Sequence, residues 1–175
     1  MPFLIDTHAH LDADIYKNDL DIVVKHARED GVWIVTIGND YASSKRAVEI
    51  AERYPDGVFA AVGIHPLNVK GDVTADDKLL DLEKFFALAR HPKVVAIGET
   101  GLDFHDLPPA GRRDPNAAKS EKIRANQKKV FGRFLELSKE LRLPVLLHCR
   151  DAESEMLGML EVWDKMTPGF DARGI

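Results

Sequence analysis

VWIVTI, Val32–Ile37, is the stretch on which the fold turns. Five of its six residues are β-branched, and the run is apolar almost throughout. An alternating pattern would mark a strand with one wet face; a continuous one marks a strand covered on both faces. Strands of that kind belong to parallel sheets, whose neighbours are joined by crossover helices. The flanks agree. Upstream, residues 19–30 set Leu20, Val23, Val24 and Ala27 at helical spacing, and Gly31 stops the run. Downstream, residues 43–54 place Ala47, Ile50 and Ala51 on one helix face, with Pro55 just beyond.

The same alternation runs along the chain. Short apolar strands are expected at residues 3–5, 58–64, 94–99 and 144–148, with Leu4 and Ile5 buried. Helices are expected at 76–90, 120–141 and 152–166, and the closing residues 172–175 have the look of a sixth strand's opening. Five strand-helix units in sequence leave two α/β architectures open, an open doubly wound sheet and a (β/α)8 barrel. The glycine-rich dinucleotide fingerprint is missing after the first strand, which weakens the first of these. Residues 105–119 form a loop-like stretch of a length that is more often functional than inert. The chain reads as one domain over residues 1–175.

In both architectures ligands sit beyond the C-terminal ends of the strands. The first strand runs into His8 and His10, the third into His65, the fourth into Glu99 and Asp103, the fifth into His148, Arg150 and Asp151. Every exit but the second therefore carries a histidine or a carboxylate. Residues i and i+2 of a strand share a face, so His8 and His10 can converge on one ion. Either histidine alone is more simply a loop residue, His65 beside Pro66 a turn former, and His148 a core histidine. Glu99 follows five apolar or glycine residues, and a carboxylate there is costly unless it meets a cation or a partner such as Arg150. Two histidines with a carboxylate and further donors suit Zn²⁺, Mn²⁺ or Mg²⁺, and a carboxylate can bridge two ions. Cys149 points away from His148 on a continuing strand and is expected to be a packed thiol. No serine elbow or phosphate loop is present.

The chain has 175 residues, 45% hydrophobic and 30% charged, with a net charge of -5 and a single cysteine. An internal disulfide is ruled out, and the composition is that of a soluble globular protein. No stretch is long enough to cross a membrane, and a cytoplasmic location without an obligate protein partner is expected. Residues 111–133 stand apart, with eight Lys or Arg (Arg112, Arg113, Lys119, Lys122, Arg124, Lys128, Lys129, Arg133) against two acids. Such a patch suits a phosphate backbone, although a solvated helix face explains its helical part equally well.

IDTHAHLD, VGIHP, IGETGLDF and PVLLHCRDA, in this order and spacing, resemble the TatD-type metal-dependent deoxyribonucleases, (β/α)8 barrels of the metallo-hydrolase superfamily. The resemblance implies a TIM-barrel type fold, incomplete here, with about five βα units and the start of a sixth strand. It implies two divalent metal ions (Mg²⁺, Mn²⁺ or Zn²⁺), one held by His8 and His10, the second by His148, with Glu99 bridging and catalytic. His65 and Arg150 would meet the substrate phosphate, as would Arg112 and Arg113 from the loop above the mouth. Asp103 would orient the ligands. The implied reaction is hydrolysis of DNA phosphodiester bonds, on single strands or from 3′ ends. Other metallo-hydrolases of the superfamily, acting on small substrates, and a metal-binding fragment without turnover remain as alternatives.

The family's chains are longer, since a complete barrel takes about 250 residues. Its further metal-binding histidine on strand six and aspartate on strand eight have no counterpart among these 175 residues. The first and fifth strands are accordingly expected to have open edges, and the chain alone to be poorly soluble and weakly active or inactive.

Overall fold

The computed structural model describes residues 2–69, 82–108 and 116–169. Its strands are β1 (Leu4–Ala9), β2 (Val32–Ile37), β3 (Val58–Val62), β4 (Val94–Asp103) and β5 (Val145–Arg150). The intervening helices are α1 (Leu20–Glu29), α2 (Tyr41–Glu52), α3 (Leu82–Ala89), α4 (Ala117–Leu141) and α5 (Glu153–Met166). The five strands form one sheet in the order β1-β2-β3-β4-β5, and every pair is parallel. Sequential order with a helix after each strand is the winding of half a barrel, as expected for the TIM-barrel class.

Alternation along the strands sorts the core. Ile34, Val58, Ala60 and Val62 face the helices and pack with Val24, Ala47, Val48, Ala51, Phe85 and Phe134. Val35, Ile37, Ala61 and Ala96 point to the other side and form a separate inner cluster with Leu146. A third cluster joins Leu102 and Phe104 to Phe131, Leu135 and Met156, seating α4 and α5. Asp40 caps α2, its carboxylate accepting from the Ser43 backbone N–H at 2.7 Å.

Two interruptions of register fall on residues of the strand exits. The β1–β2 pairing slips between Asp6 and Ala9, where Thr7 and His8 lie. The β4–β5 pairing slips between Ile97 and Thr100, where Gly98 and Glu99 lie. Three steps on one strand oppose two on its partner in both places, the pattern of a bulge that re-aims a side chain. Gly101 follows in β4 at φ +148°, and a Cβ there would come within 2.0 Å of the His148 carbonyl oxygen. Only glycine lets β5 lie that close at this point.

Several expectations need correction. Leu4 and Ile5 are exposed, at 56% and 37%, because β1 is an edge strand that pairs with β2 alone among the described residues. β4 extends to Asp103, so Glu99 lies in the middle of the strand instead of at its last residue. Cys149 is exposed and not packed, on β5 at the other edge of the sheet among the described residues. Arg124 belongs to no solvated basic face. It is buried, stacks on Phe104 at 4.5 Å and donates to the Pro108 carbonyl at 2.6 Å, so it anchors the start of the β4–α4 loop. Arg133 is paired with Glu136. Arg112, Arg113 and the expected sixth strand at 172–175 lie outside the described residues.

Candidate metal centre

Glu99 is the centre of the strand exits. It is only 7% exposed, and three imidazoles meet its carboxylate. His8 Nε2 lies 3.4 Å from Oε2; His148 Nδ1 and His65 Nε2 lie 3.0 and 3.8 Å from Oε1. A buried carboxylate requires such company or a cation. Two groups of donors result, and they share Glu99. His8, His10 and Glu99 form one, His65, Glu99 and His148 the other, and within each the ligand atoms all lie within 4.8 Å of one another.

Backbone and carboxylate partners fix which ring nitrogens are free. His10 Nδ1 faces the Ile37 carbonyl at 3.2 Å. A carbonyl only accepts, so Nδ1 carries the proton and the Nε2 lone pair is left for a ligand. His148 Nε2 faces Asp103 Oδ2 at 2.9 Å, and donating there leaves the Nδ1 lone pair turned toward Glu99. His65 takes the same tautomer as His148. Its Nδ1 accepts the Leu67 backbone N–H at 3.2 Å, so Nε2 bears the proton and donates to His148 Nδ1 at 3.0 Å. Burial pushes the His65 pKa below its ordinary value, against the pull of Glu99, and the ring is neutral at pH 7.

These tautomers leave the His148 Nδ1 lone pair and Glu99 Oε1, both acceptors, 3.0 Å apart. The neutral-imidazole and carboxylate donor set fits a divalent cation, which would relieve that repulsion. His8, His10, Glu99 and His148 are the residues whose lone pairs or charge suit the role, an ion at His148 Nδ1 taking the place of the hydrogen bond from His65.

Surrounding residues hold this arrangement. Asp103 is 3% exposed, and its Oδ1 accepts the His105 backbone N–H at 3.1 Å while Oδ2 holds His148. The Asn39 carbonyl, at the exit of β2, takes the His65 backbone N–H at 2.9 Å and the Asn68 side chain at 2.8 Å. Arg150 is exposed at the end of β5, next to the site in sequence but with its carbonyl turned to the Phe104 N–H at 2.9 Å. Three participants had no mark as site residues in the sequence. Gln127 bridges two strand exits from α4, Asn39 supplies the β2 exit, and His105 pairs with Asp151 at 2.6 Å on the rim. Gln127 alone left a signal, as a polar residue on the apolar stripe of Val130, Phe131 and Phe134.

Comparison with known proteins places these motifs. Residues 5–170 match the family described as TatD related DNase. The metal-dependent hydrolase YabD of Bacillus subtilis is 39% identical over 160 residues, covering 90% of this chain and 55% of that protein. The 3'-5' ssDNA/RNA exonuclease TatD of Erwinia billingiae is 33% identical over 170 residues, 95% of this chain and 57% of that protein. Among solved structures, YJJV, a TatD homologue from Escherichia coli, superposes with a TM-score of 0.72 at 27% identity, covering 92% of this chain and 56% of that one. The chain thus spans about half the length of the relatives it matches. No described helix is long and apolar enough to cross a membrane.

Proposed function

The chain belongs to the TatD related DNase family, and from that premise we propose that its strand exits form the N-terminal part of a metal-dependent phosphodiesterase site acting on nucleic acid. The observation that carries the reading is the shared Glu99 carboxylate, set between His8 with His10 on one side and His148 on the other. Two donor groups with one common carboxylate are what a pair of divalent ions requires. Mg²⁺, Mn²⁺ and Zn²⁺ all fit the donors.

Divalent ions held by His8, His10, Glu99 and His148 would lower the pKa of water toward neutrality and offset charge on phosphate oxygens. The chain's own residues supply the rest. Ile37 and Asp103 lock the His10 and His148 rings so that one lone pair of each faces inward. His65 lies in the second donor group by distance, but its protonated Nε2 suits a hydrogen bond to a phosphate oxygen better than a metal bond. Arg150, at the same strand end, offers a planar guanidinium for two phosphate oxygens. Arg112 and Arg113 add two cations to the basic stretch of the sequence, in keeping with a polyanionic substrate. Cleavage from the 3′ end of single-stranded DNA or RNA is the finer reading, supported by the printed names of the TatD relatives.

The test is hydrolysis of 5′-labelled single-stranded DNA and RNA by the purified chain with Mg²⁺, Mn²⁺ or Zn²⁺, with chelator, and by Glu99→Ala. Stepwise shortening from the 3′ end that needs metal and disappears in Glu99→Ala supports the reading. A folded, metal-loaded chain that cleaves small phosphodiesters but neither polymer overturns the nucleic-acid assignment.

A further inference from the structure

Gln127 is 2% exposed in the middle of a helix rich in charge, and both ends of its amide are engaged. Oε1 accepts the backbone N–H of Asp103 at 2.8 Å. Nε2 donates to the backbone carbonyl of Pro66 at 3.3 Å. Neither partner is in α4. One is the last residue of β4, whose carboxylate holds His148; the other is the residue directly after His65.

From these contacts we propose that Gln127 is a positioning residue, resting on the metal-centre reading above, that sets the spacing between the His65 and His148 halves of the site. Its two bonds act as a brace of fixed length. Asp103 is pulled from one side by Gln127 through its backbone and holds His148 on the other through its side chain. Pro66 begins the short 3-10 turn (Pro66–Asn68) whose Leu67 N–H selects the His65 tautomer. A shift of either backbone is passed on to the 3.0 Å His65–His148 contact, because a single further hydrogen bond joins each braced segment to its histidine. A glutamine is suited to the task because it donates and accepts at once, whereas Glu only accepts and Met does neither. The rest of the α4 stripe packs by shape alone: Phe131 and Phe134 are fully buried and carry no polar atom.

A purely structural role would cost stability and nothing else, so the experiment separates the two. Gln127→Met and Gln127→Glu are compared with Phe131→Leu, a core change on the same helix that serves as the stability-matched control. Long-range ¹H–¹⁵N spectra of the metal-free proteins report the imidazole tautomers. Wild type and Phe131→Leu should show Nε2–H rings at His65 and His148. Gln127→Met should show mixed tautomers at both, and Gln127→Glu, which keeps only the Asp103 contact, at His65 alone. Cobalt titration is the second readout. Gln127→Met should bind Co²⁺ about 10- to 100-fold more weakly than wild type, with an altered visible spectrum, as for loss of other groups that orient ligands. Phe131→Leu should bind like wild type at an equal loss of melting temperature. Unchanged tautomers in Gln127→Met, or equal losses in Phe131→Leu, overturn the brace. Absence of Co²⁺ binding in wild type would count against the metal centre itself, and the tautomer spectra would still decide the role of Gln127.

Discussion

Asp103 and His148 are joined by a 2.9 Å contact between Oδ2 and Nε2, and this one bond decides which face of the His148 ring looks at Glu99. The carboxylate is nearly fully buried at the end of β4, with its other oxygen occupied by the His105 N–H. It has no freedom to turn away, so the His148 Nδ1 lone pair stays inward. Orientation of a ligating imidazole by a carboxylate is a recurring device of metal sites.

Asp103→Asn tests this. An amide that turns its oxygen to His148 sets its NH₂ against the His105 N–H, and one that turns its NH₂ to His148 opposes the Nε2–H and favours the other tautomer. Metal affinity should fall by roughly 10- to 100-fold while the fold is retained. Isothermal titration with Zn²⁺, alongside circular dichroism, reads both; unchanged affinity in a folded variant would remove Asp103 from the site.

Glu99→Gln should do more harm than Asp103→Asn. It keeps the shape but removes the negative charge that both donor groups share. Loss of a shared ligand should exceed the roughly 10- to 100-fold cost of an orienting group, and metal stoichiometry should drop. Inductively coupled plasma measurement of bound metal after dialysis checks the stoichiometry. Equal occupancy in wild type and Glu99→Gln would rule out a bridging role.

The winding order was legible because runs such as Val32–Ile37 carry their burial in their own composition. The strand-exit residues were legible for a related reason: histidines and carboxylates directly after apolar runs are expensive and so informative. The bulges at Thr7-His8 and Gly98-Glu99 were not, since a bulge is defined by the partner strand's register. Gln127 sits on a readable apolar stripe, yet its partners are 24 and 61 residues away, and no local pattern names them. Arg124 looked like one more solvent cation because its Phe104 and Pro108 partners come from another element. Leu4 and Ile5 misled in the opposite sense: apolar composition marks what wants burial, while the neighbours present decide whether it is obtained.

Gly101→Ala should damage the site through the backbone. The added methyl would meet the His148 carbonyl oxygen at 2.0 Å, and the φ of +148° is one that alanine avoids. Strain of this kind costs about 1–3 kcal/mol before the clash is counted. β5 must then move off β4 at the His148 pairing position. Urea denaturation should show a loss of about 3 kcal/mol or more. Gly158→Ala, on α5 where nothing lies within 4 Å of the new methyl, should be neutral or slightly stabilising. Similar stability for both variants would contradict the close β4–β5 approach.

Tyr54 predicts an alkaline limit to stability, away from the candidate metal centre. Its hydroxyl donates to Asp21, which also receives Arg53 at 2.7 Å. Burial first, and then the hydrogen bond and charge of Asp21, raise the phenol from 10.0 to about 12. The folded state therefore keeps its proton where the unfolded chain has lost it. The unfolded state binds fewer protons between those two values, so stability declines as pH rises through that window and is intact below it. The ring is half-buried but its hydroxyl sits in the surface group of Asp21 and Arg53, and the loss will be small. The difference in unfolding free energy between wild type and Tyr54→Phe, measured in urea at pH 8 and again near pH 11.5, isolates it from every other titrating group. Wild type should lose ground relative to Tyr54→Phe only at the higher pH. Parallel behaviour at both values would mean that Asp21 does not hold the phenol in solution.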